Sequence, residues 1–293
     1  MEQAFFTVEN ICAAHRTGFS LREVSFSVEA GTLTALLGAN GSGKTTLLRA
    51  ICQQMRHEGS CRLQTGPIHT GQGRGAGIQS GVTLESLSMR SLARLISYIP
   101  QRTGISMGMS VLDVVLMGFN PWLGLLEKPD GGQRQQARQA LEMLGLGAYI
   151  QRDYRSLSEG QKGLVILART LVEDARLLLM DELDSAIDFP NRYAIMEKIA
   201  GMVKGYAKAG ILSLHDPALA MTFCDKMILL KEGRCIGQLR PRIDGIPEME
   251  AALRQIYGSV SLIACKRKKR EHLVLLWDQE GDRNGTSNSG FSV

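Results

Sequence analysis

The sequence predicts an α/β fold with a mainly parallel sheet, antiparallel strands at its N-terminal end and a helical insert. Three observations lead there. Short apolar runs (Thr32–Leu37, Leu177–Met180 and Ile211–Leu214) have the length and composition of buried strands. Segments with apolar residues at helical spacing alternate with them, the pattern of strand–helix–strand units. The glycine-rich turn Gly38-Ala39-Asn40-Gly41-Ser42-Gly43-Lys44-Thr45-Thr46 joins the first run to the apolar helix-former Leu47-Leu48-Arg49-Ala50-Ile51.

In chain order, Phe5–Val8 and Val24–Val28 read as strands, the second with the alternation of a half-buried antiparallel strand. Between them lies a polar loop, Ala14–Gly18. From Gly59 to Ser91 the pattern weakens, and Gly66–Gly81 reads as a mobile glycine-rich loop. Its spacing misses G-x-G-x-x-G and no strand precedes it, which excludes a dinucleotide fingerprint. Leu95–Ile99 is a short strand stopped by Pro100. Val111–Trp122 and Gln133–Leu146 read as helices, and a third opens at Leu157–Gln161 and runs through Leu171. A helical insert over about 102–170 therefore interrupts the strand-rich part. Pro190 starts a further helix with Ile195, Met196, Ile199 and Val203 on one face. Met227–Ile236 reads as a hairpin around Glu232-Gly233.

The turn at 38–46 carries the chemistry. Its G-x-x-x-x-G-K-[ST] spacing lets backbone N–H groups converge on one anion, at the positive end of the following helix. Lys44 can reach the β- and γ-phosphates, and the Thr45 hydroxyl can ligate Mg²⁺. Ligands of such sheets gather at the carboxyl ends of the strands. There the chain places Asp181 and Glu182 after Met180, and His215 after Leu214. Asp181 suits a second Mg²⁺ partner, and Glu182 suits polarisation of a water attacking the γ-phosphate. His215 can hold that water in register by hydrogen bonding. An Asp-Glu pair alone would more often be a helix cap, and a histidine at a strand end a satisfied turn residue. The upstream phosphate turn reverses the odds for the acid pair.

Bulk properties exclude other classes. At 293 residues, 44% hydrophobic and 22% charged, the chain can bury a large core. A net charge of +5 is too small to argue for nucleic acid. Cys12, Cys52, Cys61, Cys224, Cys235 and Cys265 form no C-x-x-C pair, which fits a reducing cytosol and no structural zinc. No apolar run approaches the roughly 18 residues of a membrane span. The run Lys266-Arg267-Lys268-Lys269-Arg270 reads equally as a solvated cluster or as a contact for anionic lipid headgroups. Gly281–Val293 is polar and expected to be disordered.

These motifs, in this order, resemble the ATP-binding subunit of ABC transporters up to about residue 262, leaving 263–293 as a basic and polar extension. Walker A matches Gly38–Thr46, the Q-loop glutamine Gln101, and the signature Leu157-Ser158-Glu159-Gly160-Gln161. Walker B with its glutamate matches Leu177–Glu182, the D-loop Ser185–Asp188 and the switch histidine His215. The resemblance implies a P-loop NTPase core that hydrolyses ATP with Mg²⁺. It assigns catalysis to Glu182, His215 and Gln101, and Mg²⁺ to Thr45, Gln101 and Asp181. ATP would be held by Gly38, Asn40, Gly41, Ser42, Gly43, Lys44, Thr45 and Thr46, and across a homodimer by Ser158, Gly160 and Gln161. His15, which residue type alone leaves open, falls where the family stacks an aromatic ring on adenine. Implied partners are a membrane permease docked on the helical insert and, indirectly, a substrate-binding protein, with the chain at the cytoplasmic face of the membrane. Tyr98–Gln101, Ser110–Gly118 and Ile256–Gly258 are similar to the iron-chelate, haem and cobalamin uptake group.

Three departures stand out. Glu159 replaces the usual first glycine of the signature and is expected to face solvent or a basic neighbour. Leu183 replaces the proline after the glutamate, and the 66–81 loop is an insertion. A non-transport ABC ATPase acting on nucleic acid or the ribosome is the competing reading. One cassette without a coiled-coil insert argues against it, and the signature with no N-K-x-D motif argues against a kinase or GTPase.

Overall fold

The computed structural model describes residues 4–14, 18–64, 81–101, 104–105, 107–182, 189–267 and 270–277. Three expectations lie outside them: the base-stacking role of His15, the D-loop at 185–188 and the residue after Glu182. So do most of the 66–81 loop and the whole of Gly281–Val293.

Two long strands open the chain, β1 (Phe6–Ala14) and β2 (Ser20–Val28), followed by β3 (Leu33–Leu37) and α1 (Lys44–Ile51). Next come β4 (Glu58–Leu63), β5 (Val82–Thr83), α2 (Met89–Leu95) and β6 (Ile96–Ile99). The helical part holds α3 (Val111–Leu116), α4 (Gly131–Met143) and α5 (Glu159–Glu173), with short 3-10 turns between them. Then follow β7 (Leu177–Met180), α6 (Phe189–Gly205), β8 (Ala209–Ser213), α7 (Pro217–Phe223), β9 (Lys226–Lys231) and β10 (Arg234–Leu239). The last elements are α8 (Ile246–Tyr257), β11 (Val260–Arg267) and β12 (Arg270–Trp277).

Among the described residues the strands form three sheets. The central one has the order β10-β9-β3-β8-β7-β6, and every pairing in it is parallel except β9 with the edge strand β10. An antiparallel sheet, β2-β1-β4-β5, lies beside it, and β11 pairs with β12. Parallel strands must be covered on both faces, which explains why all five residues of β3 are buried. The alternation is visible in the packing. Leu33, Ala35, Leu37, Leu178, Met180, Leu212 and Leu229 join one core with the helices α3 to α8. Leu36, Leu177, Leu179, Ile211, Ile228 and Leu230 face the other way, into a core closed by α1 and the antiparallel sheet.

Several elements differ from expectation. The weak stretch at 59–91 contains β4 and α2. In β4 only Cys61 and Leu63 are buried, too few for a periodic signal, and α2 is a seven-residue helix held by Leu92 and Leu95. The helix expected at 111–122 ends at Leu116 and tightens into a 3-10 turn over Met117–Phe119. That turn packs closely on α5, where only glycine fits at 118: a Cβ there would lie 2.6 Å from both the Arg169 carbonyl oxygen and Val172 Cγ2. The boundary drawn at 262 falls inside β11. Leu262 and Leu275 are direct partners in the hairpin, and Val260 and Leu262 are buried in the main core. Lys266, Arg267 and Arg270 of the basic run therefore belong to the strands of a packed hairpin. The expected hairpin at 227–236 is present as β9 and β10, with Glu232 (φ 49°) and Gly233 (φ 78°) in the left-handed turn that two-residue hairpins require.

Candidate active site

Strand order decides where the site forms. β3, β8, β7 and β6 are adjacent, so the residues leaving their carboxyl ends meet along one edge. These are the turn from Gly38, His215, the Asp181-Glu182 pair and Gln101. A cleft of about 720 Å³ opens there, a volume within the range of small-molecule sites. Its walls include Asn40 to Thr46, Gln101, Glu182 and His215.

The phosphate turn is braced from behind. The Gly233 amide donates to the Ser42 carbonyl oxygen at 3.1 Å, which ties the β9–β10 turn to the loop. Gly43 (φ 108°) precedes α1 in the left-handed region, against Phe19 and Leu21. Lys44 is buried, and its ammonium donates to the carbonyl oxygens of Gly38 (2.8 Å) and Ala39 (3.3 Å). The charge is thereby held at the loop rather than free to follow solvent.

The acids are fixed just as tightly. Asp181 is 2% exposed, and its Oδ1 accepts hydrogen bonds from Thr45 Oγ1 at 3.0 Å and Ser213 Oγ at 2.8 Å. Tyr98 hydroxyl donates to its Oδ2 at 3.4 Å. Burial, then the Asp181 charge, push the Tyr98 phenol up to about 12, so it stays a donor. Glu182 sits at φ 48°, a left-handed conformation costing a non-glycine residue roughly 1–2 kcal/mol. Its amide donates to Ser213 Oγ at 2.8 Å. Its carboxylate takes the Gln101 amide at 2.5 Å and lies 2.8 Å from His215 Nε2. Gln101, Glu182 and His215 thus form one cluster at the cleft.

The signature residues stand elsewhere. Ser158 caps α5 by accepting the Gln161 amide at 3.3 Å, and Gln161 returns a bond to the Ser158 amide. Gly160 packs beside Asn191. None of Ser158, Gly160 and Gln161 lines the cleft. Glu159 turns outward and pairs with Lys162 at 2.7 Å, as its sequence context predicted.

Sequence reasoning missed Phe19, Arg49, Gln54 and Met55 on the cleft wall, and Ser213 beneath it. Arg49 follows Thr45 by one helical turn, a readable signal. Ser213 had none, because a serine ending an apolar strand reads as part of the strand.

The donor set fits a nucleotide with Mg²⁺. Ser42 Oγ, in the phosphate turn, is buried with no hydrogen-bond partner among the described residues. Thr45 and Asp181 offer oxygen ligands of the kind a hard cation takes.

A sequence profile described as ABC transporter matches residues 21–185, more than half of the chain. The chain belongs to the ABC transporter ATP-binding family. It binds ATP and is an ATPase. It is 34% identical over 246 residues to the hemin import ATP-binding protein HmuV of Jannaschia sp., covering 80% of this chain and 82% of that one. A probable iron chelatin transport ATP-binding protein of Helicobacter pylori is 31% identical, with coverage of 77% and 83%. The zinc transport system ATP-binding protein TroB of Treponema pallidum is 32% identical, with coverage of 76% and 77%. Among solved structures, an inward-facing metal-chelate type ABC transporter superposes with TM-score 0.77 at 24% identity, over 94% of this chain and 98% of that one. A dimeric ATP-binding cassette bound to ADP and Pi gives 0.65 at 21% identity, over 81% and 99%. Both likenesses establish the fold of this ABC ATPase. Among its described residues no helix is long and apolar enough to cross a membrane.

Proposed function

We propose that this chain is the ATP-hydrolysing subunit of an importer for an iron chelate, haem or a related metal complex. The observation that supports it best is the single edge at which a lysine-bearing turn, its Thr45 bonded to the buried Asp181, and a Gln101–Glu182–His215 cluster line one cleft.

In this reading the turn from Gly38 to Thr46 binds the phosphates through backbone N–H groups and Lys44. Thr45, Asp181 and Gln101 would hold Mg²⁺, which when bound offsets charge between the β- and γ-phosphates. Glu182 orients a water toward the γ-phosphate, and His215 and Gln101 hold the Glu182 carboxylate in place. Ser158, Gly160 and Gln161, remote from the chain's own cleft, meet the ATP of a second copy at a helix N-terminus. Closing the dimer completes each site, and hydrolysis releases it.

The helical part formed by α3 to α5 receives a helix of a permease, and Gln101 links it to the nucleotide. That places the chain at the cytoplasmic face of a membrane, supplied by a substrate-binding protein on the far side. The ATPase domain extends beyond 262 through the β11–β12 hairpin, which packs on the main core away from the catalytic cleft. The names of the haemin and iron chelatin relatives support the substrate class.

Glu182→Gln tests the core of this reading. It is expected to abolish steady-state hydrolysis while the variant still binds ATP and becomes dimeric with ATP in light scattering. Turnover at the wild-type rate would overturn the role given to Glu182. Co-expression with a permease encoded beside the gene, followed by uptake of labelled haemin, a ferric siderophore and cobalamin, tests the cargo.

A further inference from the structure

We infer that Ser213 is a positioning residue for hydrolysis. Its hydroxyl locks the side chain of Asp181 and the backbone of Glu182 into one unit. The inference rests on reading Glu182 as the residue that orients the attacking water.

Ser213 is the last residue of β8 and is 0% exposed. A serine hydroxyl has one proton to give and lone pairs to accept with. Here both functions are used, because Oγ donates to Asp181 Oδ1 and accepts the Glu182 amide, each at 2.8 Å. The register explains why one side chain reaches both. β7 and β8 run parallel with Met180 opposite Leu212, so the next residue of each strand lies at the same level of the sheet edge. At that level the Asp181 amide still bonds to the Ile99 carbonyl oxygen at 2.8 Å, in the direction of β6. Glu182 then turns left-handed (φ 48°), and its N–H points at the neighbouring strand's side chain.

The consequence is a continuous chain of contacts. Thr45 Oγ1 bonds to Asp181 Oδ1, the same oxygen accepts from Ser213 Oγ, and Ser213 Oγ accepts from the Glu182 amide. Asp181 Oδ1 and Ser213 Oγ are therefore the two atoms that link the phosphate turn to the backbone of Glu182. An apolar residue at 213 would leave the strand intact but free the Glu182 turn from it. A loss of register of about 1 Å at a reacting group lowers rate by roughly a hundredfold while leaving substrate binding in place.

The test compares Ser213→Ala, Ser213→Thr and Ser213→Cys with Glu182→Gln. Read out are kcat and KM for ATP, affinity for a fluorescent ATP analogue without magnesium, and amide hydrogen exchange along 177–182 and 209–213 in the nucleotide-free protein. Ser213→Ala is expected to lower kcat by about tenfold to a hundredfold, with KM and magnesium-free affinity within about twofold. The Glu182 amide should exchange at least about tenfold faster, with β7 and β8 unchanged. Ser213→Thr, which keeps the hydroxyl, should recover most of kcat. If its extra methyl prevents folding, Ser213→Cys decides instead: it keeps the volume with a weak donor and should be as slow as Ser213→Ala.

A kcat for Ser213→Ala within about twofold of wild type, beside an inactive Glu182→Gln, would overturn this proposal alone. So would exchange rising across both strands together with weaker nucleotide binding, or a folded Ser213→Thr as slow as Ser213→Ala. A fully active Glu182→Gln would remove the reading of Glu182, and this inference with it.

Discussion

Gly38 has no room for a methyl group. A Cβ there would stand 2.3 Å from the Leu230 carbonyl oxygen and 2.5 Å from Ser42 Oγ. One of those neighbours is backbone of β9, so the phosphate turn itself would have to move. Overpacking of this kind costs about 1–3 kcal/mol. Gly38→Ala is therefore expected to weaken ATP binding by about tenfold or more in calorimetry. Buried thiols give a second prediction at this scale. Burial, reinforced by the Asp181 charge, pushes Cys52 from 9.0 up to about 12, and burial raises Cys61 and Cys224 as well. In that window the unfolded chain has lost the proton that the native chain keeps, so stability falls as pH rises. Melting temperature should drop progressively above about pH 9, and Cys52→Ala should flatten the slope toward pH 12.

Elements owe their limits to end groups that the sequence displays. Helix α4 is closed by a capping box in which Asp130 accepts the Gln133 amide at 2.8 Å and Gln133 returns a bond at 3.0 Å. Removing such a cap costs about 1 kcal/mol. Asp130→Ala should lower the urea midpoint accordingly, with ATPase activity unchanged, because this helix end lies outside the cleft. Helix α5 uses the same box, Ser158 with Gln161, at the end proposed to meet a second copy. One serine then serves two purposes. Ser158→Ala should lose about 1 kcal/mol of stability and, in addition, ATP-dependent dimerisation; the Asp130 variant should lose only the first.

At the scale of the whole molecule, the C-terminal hairpin belongs to the main core. Val260 and Leu262 are buried, and Leu273 and Leu275 pack against the same cluster. A chain ended after residue 262 would uncover that face of α7 and α8. It is expected to melt at a lower temperature and to aggregate on heating, as followed by calorimetry and light scattering. The basic run concealed this in the sequence, because five consecutive charged residues interrupt the apolar alternation on either side of it. Helix α8 was legible in principle, since Ile246, Met249, Leu253 and Ile256 keep helical spacing. β4 was not, having two buried residues whose partners come from β1.

What the amino-acid order determined by itself is whatever acts over a few neighbouring residues. The phosphate turn, the capped helix starts and the apolar strands ending in acids or histidine are all of that kind, because local backbone geometry and side-chain type dictate them. Strand order was beyond its reach, and strand order is what sets His215, Glu182 and Gln101 side by side. Only the tertiary fold decided that Ser213 lies between Asp181 and Glu182, since a hydrogen bond spanning some thirty residues of chain depends on which strands become neighbours.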